Sequence, residues 1–180
     1  ISFALRYGID DVGFLRDHFT CNDTYDTTPR NKFSVILGNP PWGGELPKER
    51  LALLASQYWT VSKNGTETYD LFIERALSLL AENGKMAYVL PEALLNVAAH
   101  SIARQMLIGN CNFKFVQYLG NVFGGVQCPS IILEVEKSNE RVSGVESVCL
   151  DKSNETYSIR SNRQISGERF NFHVRDEIQD

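Results

Sequence analysis

The chain has 180 residues, of which 43% are hydrophobic and 22% charged, the size and balance of one domain with a real core. That composition excludes a disordered chain, a collagen-like chain and a coiled coil, and no apolar run reaches the ~20 residues that a membrane-spanning helix needs. A formal net charge of -4 argues against a stand-alone nucleic-acid binder, which carries a basic footprint, though not against an enzyme that acts on DNA and leaves the grip to another domain.

Cys21, Cys111, Cys128 and Cys149 are scattered, without a CxxC pair or a histidine at ligand spacing, so reduced thiols are expected rather than a metal site or a disulfide framework. No basic segment leads into an apolar one at the start, which predicts no secretion signal, no membrane partner and a cytoplasmic location.

In chain order, residues 1–19 hold an apolar stretch, then Asp10, Asp11 and Phe14-Leu15. Residues 20–32, rich in Asn, Asp, Thr and Pro, read as a loop. Phe33-Ser34-Val35-Ile36-Leu37, closing on Gly38, reads as a buried strand. It runs straight into Asn39-Pro40-Pro41-Trp42-Gly43-Gly44, where two prolines and two glycines forbid regular structure. A helix is predicted over 47–61, with Leu51, Leu54, Ala55 and Tyr58 on one side, followed by a loop over 62–66. Tyr69, Phe72, Ile73, Ala76, Leu77 and Leu80 recur at helical spacing and mark the clearest amphipathic helix, with a stop at Asn83-Gly84. Residues 85–90 read as a strand, 92–107 as a helix, and 112–119 and 130–136 as strands. The turn between those two holds Val122-Phe123-Gly124-Gly125, and weaker strands are expected over 145–150 and 157–160. Alternating strands and helices predict a parallel α/β sheet, closed by an antiparallel hairpin at one edge. Ligands of such sheets bind beyond the carboxyl ends of the strands, where Asn39 stands. Asp70, in a first helical turn, complements the helix dipole, and His18, His100 and His173 show no partner pattern.

The chemistry of the loop follows from its residues. A residue before proline is held extended, and each proline fixes φ and removes an N–H. Asn39 and the Pro40 carbonyl are therefore rigid acceptors at a strand end, with the aromatic face of Trp42 beside them. Two converging acceptors next to a π platform suit a planar ring that carries an exocyclic amine. Such an amine is a weak nucleophile because its lone pair is delocalised into the ring. Accepting both of its N–H bonds favours a pyramidal, more nucleophilic nitrogen without a strong base. A purine in a duplex reaches such a pocket only when flipped out and stacked on an aromatic.

Residues Phe33 to Trp42 resemble the (Asn/Asp/Ser)-Pro-Pro-aromatic motif of amino-methyltransferases. In their Phe-x-Val-Ile-x-Gly-Asn-Pro-Pro-aromatic form they resemble the gamma-class adenine-N6 DNA methyltransferases of bacterial restriction–modification systems, type IIG-like. Two further stretches agree: Tyr69-Asp70-Leu71-Phe72-Ile73-Glu74-Arg75-Ala76-Leu77 through to Pro91, and Gly120-Asn121-Val122-Phe123-Gly124-Gly125-Val126 leading into Ile131 to Lys137. The resemblance implies a Rossmann-like S-adenosylmethionine-dependent methyltransferase fold. It makes Asn39, Pro40, Pro41 and Trp42 catalytic, with the Asn39 amide and the Pro40 carbonyl accepting from the adenine amino group. Trp42, where tyrosine is commoner, would stack on the base and Phe123 would pack against it. Asn39 and Asp11 would bind the methyl donor.

The family's glycine-rich donor loop is absent, and the chain opens on Ile1 in mid-domain sequence, which predicts a catalytic-domain fragment that lacks its N-terminal donor-loop portion. Residues 1–137 are expected to form a partial catalytic domain. Residues 138–180 are expected to end it and lead toward a target recognition domain outside this sequence. The partners implied are double-stranded DNA, gripped by that domain, and a fused or associated nuclease. Related Asn-Pro-Pro-aromatic enzymes, the glutamine-N5 protein and RNA adenine methyltransferases, are the alternative, with a non-catalytic subunit of the same fold as the third.

Overall fold

The computed structural model describes residues 6, 8–61, 66–123, 128–150, 155–160 and 165–173. The chain divides into two compact units, Ile1–Arg30 and Asn31–Asp180. In the first, helix α1 (Val12–His18) starts at Asp11, whose carboxylate accepts from the Gly13 and Phe14 N–H groups at 2.7 and 3.1 Å, an N-cap that satisfies two of the donors a helix start leaves unpaired.

The second unit is built on a six-stranded sheet. Its elements run β1 (Phe33–Gly38), α2 (Lys48–Leu54), α3 (Thr68–Leu79) and β2 (Leu80–Pro91). Two short 3-10 turns (Glu92–Leu95 and Ala98–His100) lead into α4 (Ser101–Asn110), followed by β3 (Cys111–Gly120), β4 (Ser130–Lys137), β5 (Val145–Cys149) and β6 (Thr156–Ile159). The strand order is β1-β2-β4-β3-β5-β6. β1 and β2 pair parallel, β4 is antiparallel to both of its neighbours, β3 and β5 pair parallel, and β6 is antiparallel to β5. The hairpin of β3 and β4 thus lies inside the sheet rather than at the edge expected for it, and the antiparallel pair at the edge is β5 with β6.

Alternate residues of the central strands point to one buried face. Met86 pairs with Val135, Tyr88 with Leu133 and Leu90 with Ile131, and on the other side Val116 pairs with Leu133 and Tyr118 with Ile131. All of these are buried in one cluster with Ile73, Ala76 and Leu77 of α3 and Ala103 and Leu107 of α4. The amphipathic stripe read from the sequence is therefore the face that covers the sheet.

Four sequence expectations are corrected. β1 is an exposed edge strand, not a buried one. Phe33, Val35 and Leu37 are exposed and Ile36 alone is half-buried, because β2 is its sole neighbour among the described residues. α2 ends at Leu54, well short of residue 61: the N–H groups of Trp59 and Thr60 turn away to the Glu74 carboxylate, both at 2.9 Å. α3 stops at Leu79 rather than at Asn83-Gly84. Asn83, at φ 59°, instead turns the chain within the irregular start of β2, where the register jumps from Phe33↔Leu80 to Val35↔Lys85. The helix expected over 92–107 is broken into two turns and α4. Arg104, fully buried, donates to the carbonyls of Leu94 and Val97 at 2.8 Å each, which holds those groups out of a helical ladder.

Candidate functional site

The topology brings three segments to one end of the sheet. β1 ends at Gly38, which pairs with Tyr88 on the parallel β2, so Asn39 leaves the sheet at the carboxyl end of two parallel strands, where such sheets bind ligands. Pro91, the last residue of β2, pairs with Ser130, the first of β4, and Gly120, the last of β3, also pairs with Ser130. The connection that holds Phe123 therefore opens at the same end.

Within the Asn39–Trp42 loop, Asn39 and Pro41 are exposed, Pro40 is buried and Trp42 is half-buried. Gly43 has φ 65°, a left-handed turn that glycine adopts at little cost; it swings the chain away directly after Trp42. The rings of Trp42 and Phe123 meet edge to face, with centroids 5.0 Å apart at 87°. The two aromatics named from sequence are thus neighbours in space although 81 positions separate them. The indole N–H of Trp42 is buried with no hydrogen-bond partner among the described residues. Gly124 and Gly125 of the same turn lie outside the described residues. Asp11 belongs to the other compact unit and holds its own helix start.

The loop is held from below by α3. Thr68, the first residue of that helix and buried, donates its hydroxyl to the Pro41 carbonyl at 2.7 Å. The next two residues tie the helix start to the segment after β2. The Tyr69 hydroxyl lies 2.7 Å from Nε2 of His100, and Nδ1 of His100 lies 2.9 Å from a carboxylate oxygen of Asp70, all three residues being buried. A carboxylate can only accept, so Nδ1 of His100 donates to Asp70. Burial first, then the nearby Asp70 charge, pushes the Tyr69 hydroxyl well above its ordinary range. Asp70 and His100 thus form a buried pair, where the sequence suggested a dipole partner and an unpartnered histidine. No sequence signal finds Thr68 or this chain, because a threonine or an acid at a helix start ordinarily serves its own helix.

Chemically, the loop offers the amide oxygen of the exposed Asn39 and the carbonyl of the buried Pro40 as neutral acceptors, and it carries Trp42, whose ring meets Phe123. Among the described residues no cluster of His, Cys, Asp and Glu could hold a metal ion, and no helix is long and apolar enough to cross a membrane.

The sequence model of the Eco57I restriction-modification methylase family matches residues 11–123. The chain is 31% identical over 120 residues to the type II methyltransferase M.TthHB8I of Thermus thermophilus, which covers 62% of this chain and 28% of that protein. It is 33% identical over 99 residues to the type II restriction enzyme and methyltransferase RM.Eco57I of Escherichia coli, across 52% of this chain and 10% of that one. It thus spans less than a third of either relative. Among solved structures, a class I S-adenosylmethionine-dependent methyltransferase from Listeria monocytogenes superposes with a TM-score of 0.57 at 18% identity, over 69% of this chain and 38% of the other. A methyltransferase subunit of the type I restriction–modification system of Streptococcus thermophilus gives 0.54 at 23% identity, over 71% and 29%. The α/β sheet is of the Rossmann-like class I methyltransferase kind.

Proposed function

Because the chain belongs to the Eco57I restriction-modification methylase family, we propose that it is part of the catalytic domain of a DNA methyltransferase that moves a methyl group from S-adenosylmethionine to the N6 amino group of a flipped-out adenine. The observation that carries this reading is the meeting of Trp42 and Phe123 beside Asn39 and Pro40 at the carboxyl end of β1. Two relatives are named as type II methyltransferases and a third as a combined restriction enzyme and methyltransferase, which supports DNA as the substrate and a nuclease as a fused or associated partner. The acidic balance of this chain fits a division of labour in which another domain grips the duplex.

The donor set fits part of the methyl donor. The exposed Asn39 amide at the strand end is a neutral polar group that suits a cationic cofactor, whereas the observed partners of Asp11 are those of a helix cap. When bound, S-adenosylmethionine would supply an electrophilic methyl group, its S–C bond breaking as the N–C bond forms so that a neutral thioether leaves. The residues of this chain do the rest. The Asn39 side-chain oxygen and the Pro40 carbonyl accept the two N–H bonds of the amine, which draws its lone pair out of conjugation and toward the methyl group. The rigidity of the Pro-Pro pair keeps these acceptors aimed before the substrate arrives, so little reorganisation is needed at the moment of reaction. Trp42 and Phe123 hold the ring; stacking of this kind contributes about 1–3 kcal/mol per base, which offsets part of the unstacking cost. After N–C bond formation the nitrogen releases one proton through the same acceptors to water.

The test uses the natural polypeptide at full length, with labelled S-adenosylmethionine and bacterial DNA, followed by digestion to nucleosides. Label is expected in N6-methyladenine, and Asn39→Ala is expected to abolish it. Label in N4-methylcytosine corrects the base. Label in added protein or RNA, with none in DNA, overturns the DNA reading in favour of the glutamine-N5 or RNA adenine alternatives.

A further inference from the structure

We infer that Thr68 is a positioning residue for methyl transfer, holding the peptide between Pro41 and Trp42 in the plane that aims the Trp42 ring; the inference rests on the reading of the Asn39–Trp42 loop as the transfer site. The Thr68 hydroxyl does not cap its own helix. The N-cap of α3 is Glu67, and Thr68 instead reaches 27 positions back along the chain to donate to the Pro41 carbonyl at 2.7 Å. That carbonyl and the Trp42 N–H belong to one planar peptide unit. Fixing the oxygen therefore fixes the plane from which the Trp42 side chain departs.

A second contact holds the other side of the turn. A Cβ built at Gly44 would stand 3.2 Å from Thr68 Cγ2 and 3.5 Å from its hydroxyl oxygen, so the side chain fills the space that Gly44 leaves open. Thr68 is thus packed between Pro41 and Gly44, on either side of the left-handed turn at Gly43. β-branching restricts its χ1, and the methyl packs near Gly44 while the hydroxyl reaches Pro41. The helix start is itself anchored: Tyr69 and Asp70 engage His100, beyond the end of β2, at 2.7 and 2.9 Å. The first turn of α3 is a fixed mount for the loop, and Thr68 is the point where mount and loop meet.

The test compares Thr68→Val, which keeps the shape and loses the hydroxyl, with Thr68→Ser, which keeps the hydroxyl, in the full-length protein. Single-turnover methylation is measured beside an Asn39→Ala control. In parallel, 19F NMR of 5-fluorotryptophan-labelled protein follows the Trp42 resonance, assigned by its loss in Trp42→Phe. Misplacement of a reacting group by about 1 Å lowers rates by as much as 10²-fold, so T68V is expected to slow the transfer step by about 10- to 100-fold, with the KM values for DNA and donor nearly unchanged. T68V removes one hydrogen bond, worth about 1 kcal/mol, and keeps the packing, so the melting temperature is expected to move by no more than about 3 °C. The Trp42 resonance shifts or broadens in T68V and is restored in T68S, as is the rate. An inactive Asn39→Ala beside a fully active T68V overturns this inference alone, whereas an active Asn39→Ala overturns the reading of the loop itself. A loss of rate that T68S shares, or that tracks a fall in melting temperature, makes Thr68 merely structural and also overturns the inference.

Discussion

Trp42 carries two roles that substitutions can separate. On the proposed function its ring face is what a flipped base would stack on, and its edge-to-face contact with Phe123 is a favoured aromatic geometry. Its N–H, by contrast, is buried without an acceptor among the described residues, which is unfavourable by about 1–3 kcal/mol for an unpaired buried donor. Trp42→Phe keeps an aromatic face and removes that donor, so relief of the unpaired group offsets part of the lost packing. It is expected to hold the single-turnover methylation rate within about five-fold of the parent, while Trp42→Ala, which removes stacking worth about 1–3 kcal/mol, is expected to lose ten-fold or more. Equal losses in the two variants would show that the indole N–H, not the ring face, matters. The candidate site was legible in the sequence as far as it is contiguous. Asn39 to Trp42 announce themselves because proline chemistry acts on adjacent residues. Phe123 needed the resemblance, since only the register of β3 and β4 brings its connection to the end of β1. Thr68 and His100 were not legible at all, because their partners are brought to them by tertiary structure.

At the level of elements, local pattern placed most strands and missed the helix ends. The stripe from Tyr69 to Leu77 is correct because burial on one face enforces the 3.6-residue period. Helix ends depend on where backbone groups find other partners, and here those partners are distant. The clearest case is Glu74, buried on α3. Its carboxylate accepts from the N–H of Trp59 at 2.9 Å, the N–H of Thr60 at 2.9 Å and the Thr60 hydroxyl at 2.8 Å. One side chain thus satisfies the connection after α2 and fastens it to α3. Hydrogen bonds to a charged group contribute about 1.5–3 kcal/mol each, and stranded buried donors are costly. Glu74→Gln presents an amide N–H₂ to donors that need an acceptor, so it is expected to destabilise by about 2–3 kcal/mol in urea unfolding, and Glu74→Ala by at least as much. A change below about 0.5 kcal/mol in both would mean that water replaces the carboxylate without loss. The hairpin placed at an edge by sequence but found inside the sheet has a similar origin. Strand period gives the pairing of β3 with β4, while the insertion of β4 beside β2 is set by pairs such as Tyr88↔Leu133, which local pattern does not encode.

For the whole of the larger unit, the buried sheet face makes a prediction about alkaline stability. Burial pushes the Cys111 thiol, at the start of β3, from 9.0 up to about 12, with Arg141 and Lys137 pulling weakly the other way. Burial likewise pushes the Tyr88 hydroxyl from 10.0 up to about 12, and it raises Tyr69 and Tyr118 in the same direction. In each case the folded chain keeps a proton that the unfolded chain gives up. The unfolded state therefore binds fewer protons between the two values, and stability falls as pH rises through that window. The contribution of these groups is fully present below about pH 9 and is lost progressively toward pH 12, with Cys111 acting first because its unfolded value is lowest. The melting temperature, measured with a reductant present, is expected to be flat from about pH 7 to 8.5 and to decline from pH 9 upward. Cys111→Ala lowers stability somewhat at neutral pH by removing a buried sulfur, yet it should flatten the first part of the decline, between about pH 9 and 10, and leave the steeper tyrosine region above it. A parent curve with no decline up to pH 11 would sink the linkage. A decline that Cys111→Ala leaves unchanged would assign the whole effect to the tyrosines, which share the buried face with Leu133 and Ile131 and tie alkaline unfolding to the same sheet that carries the Asn39–Trp42 loop.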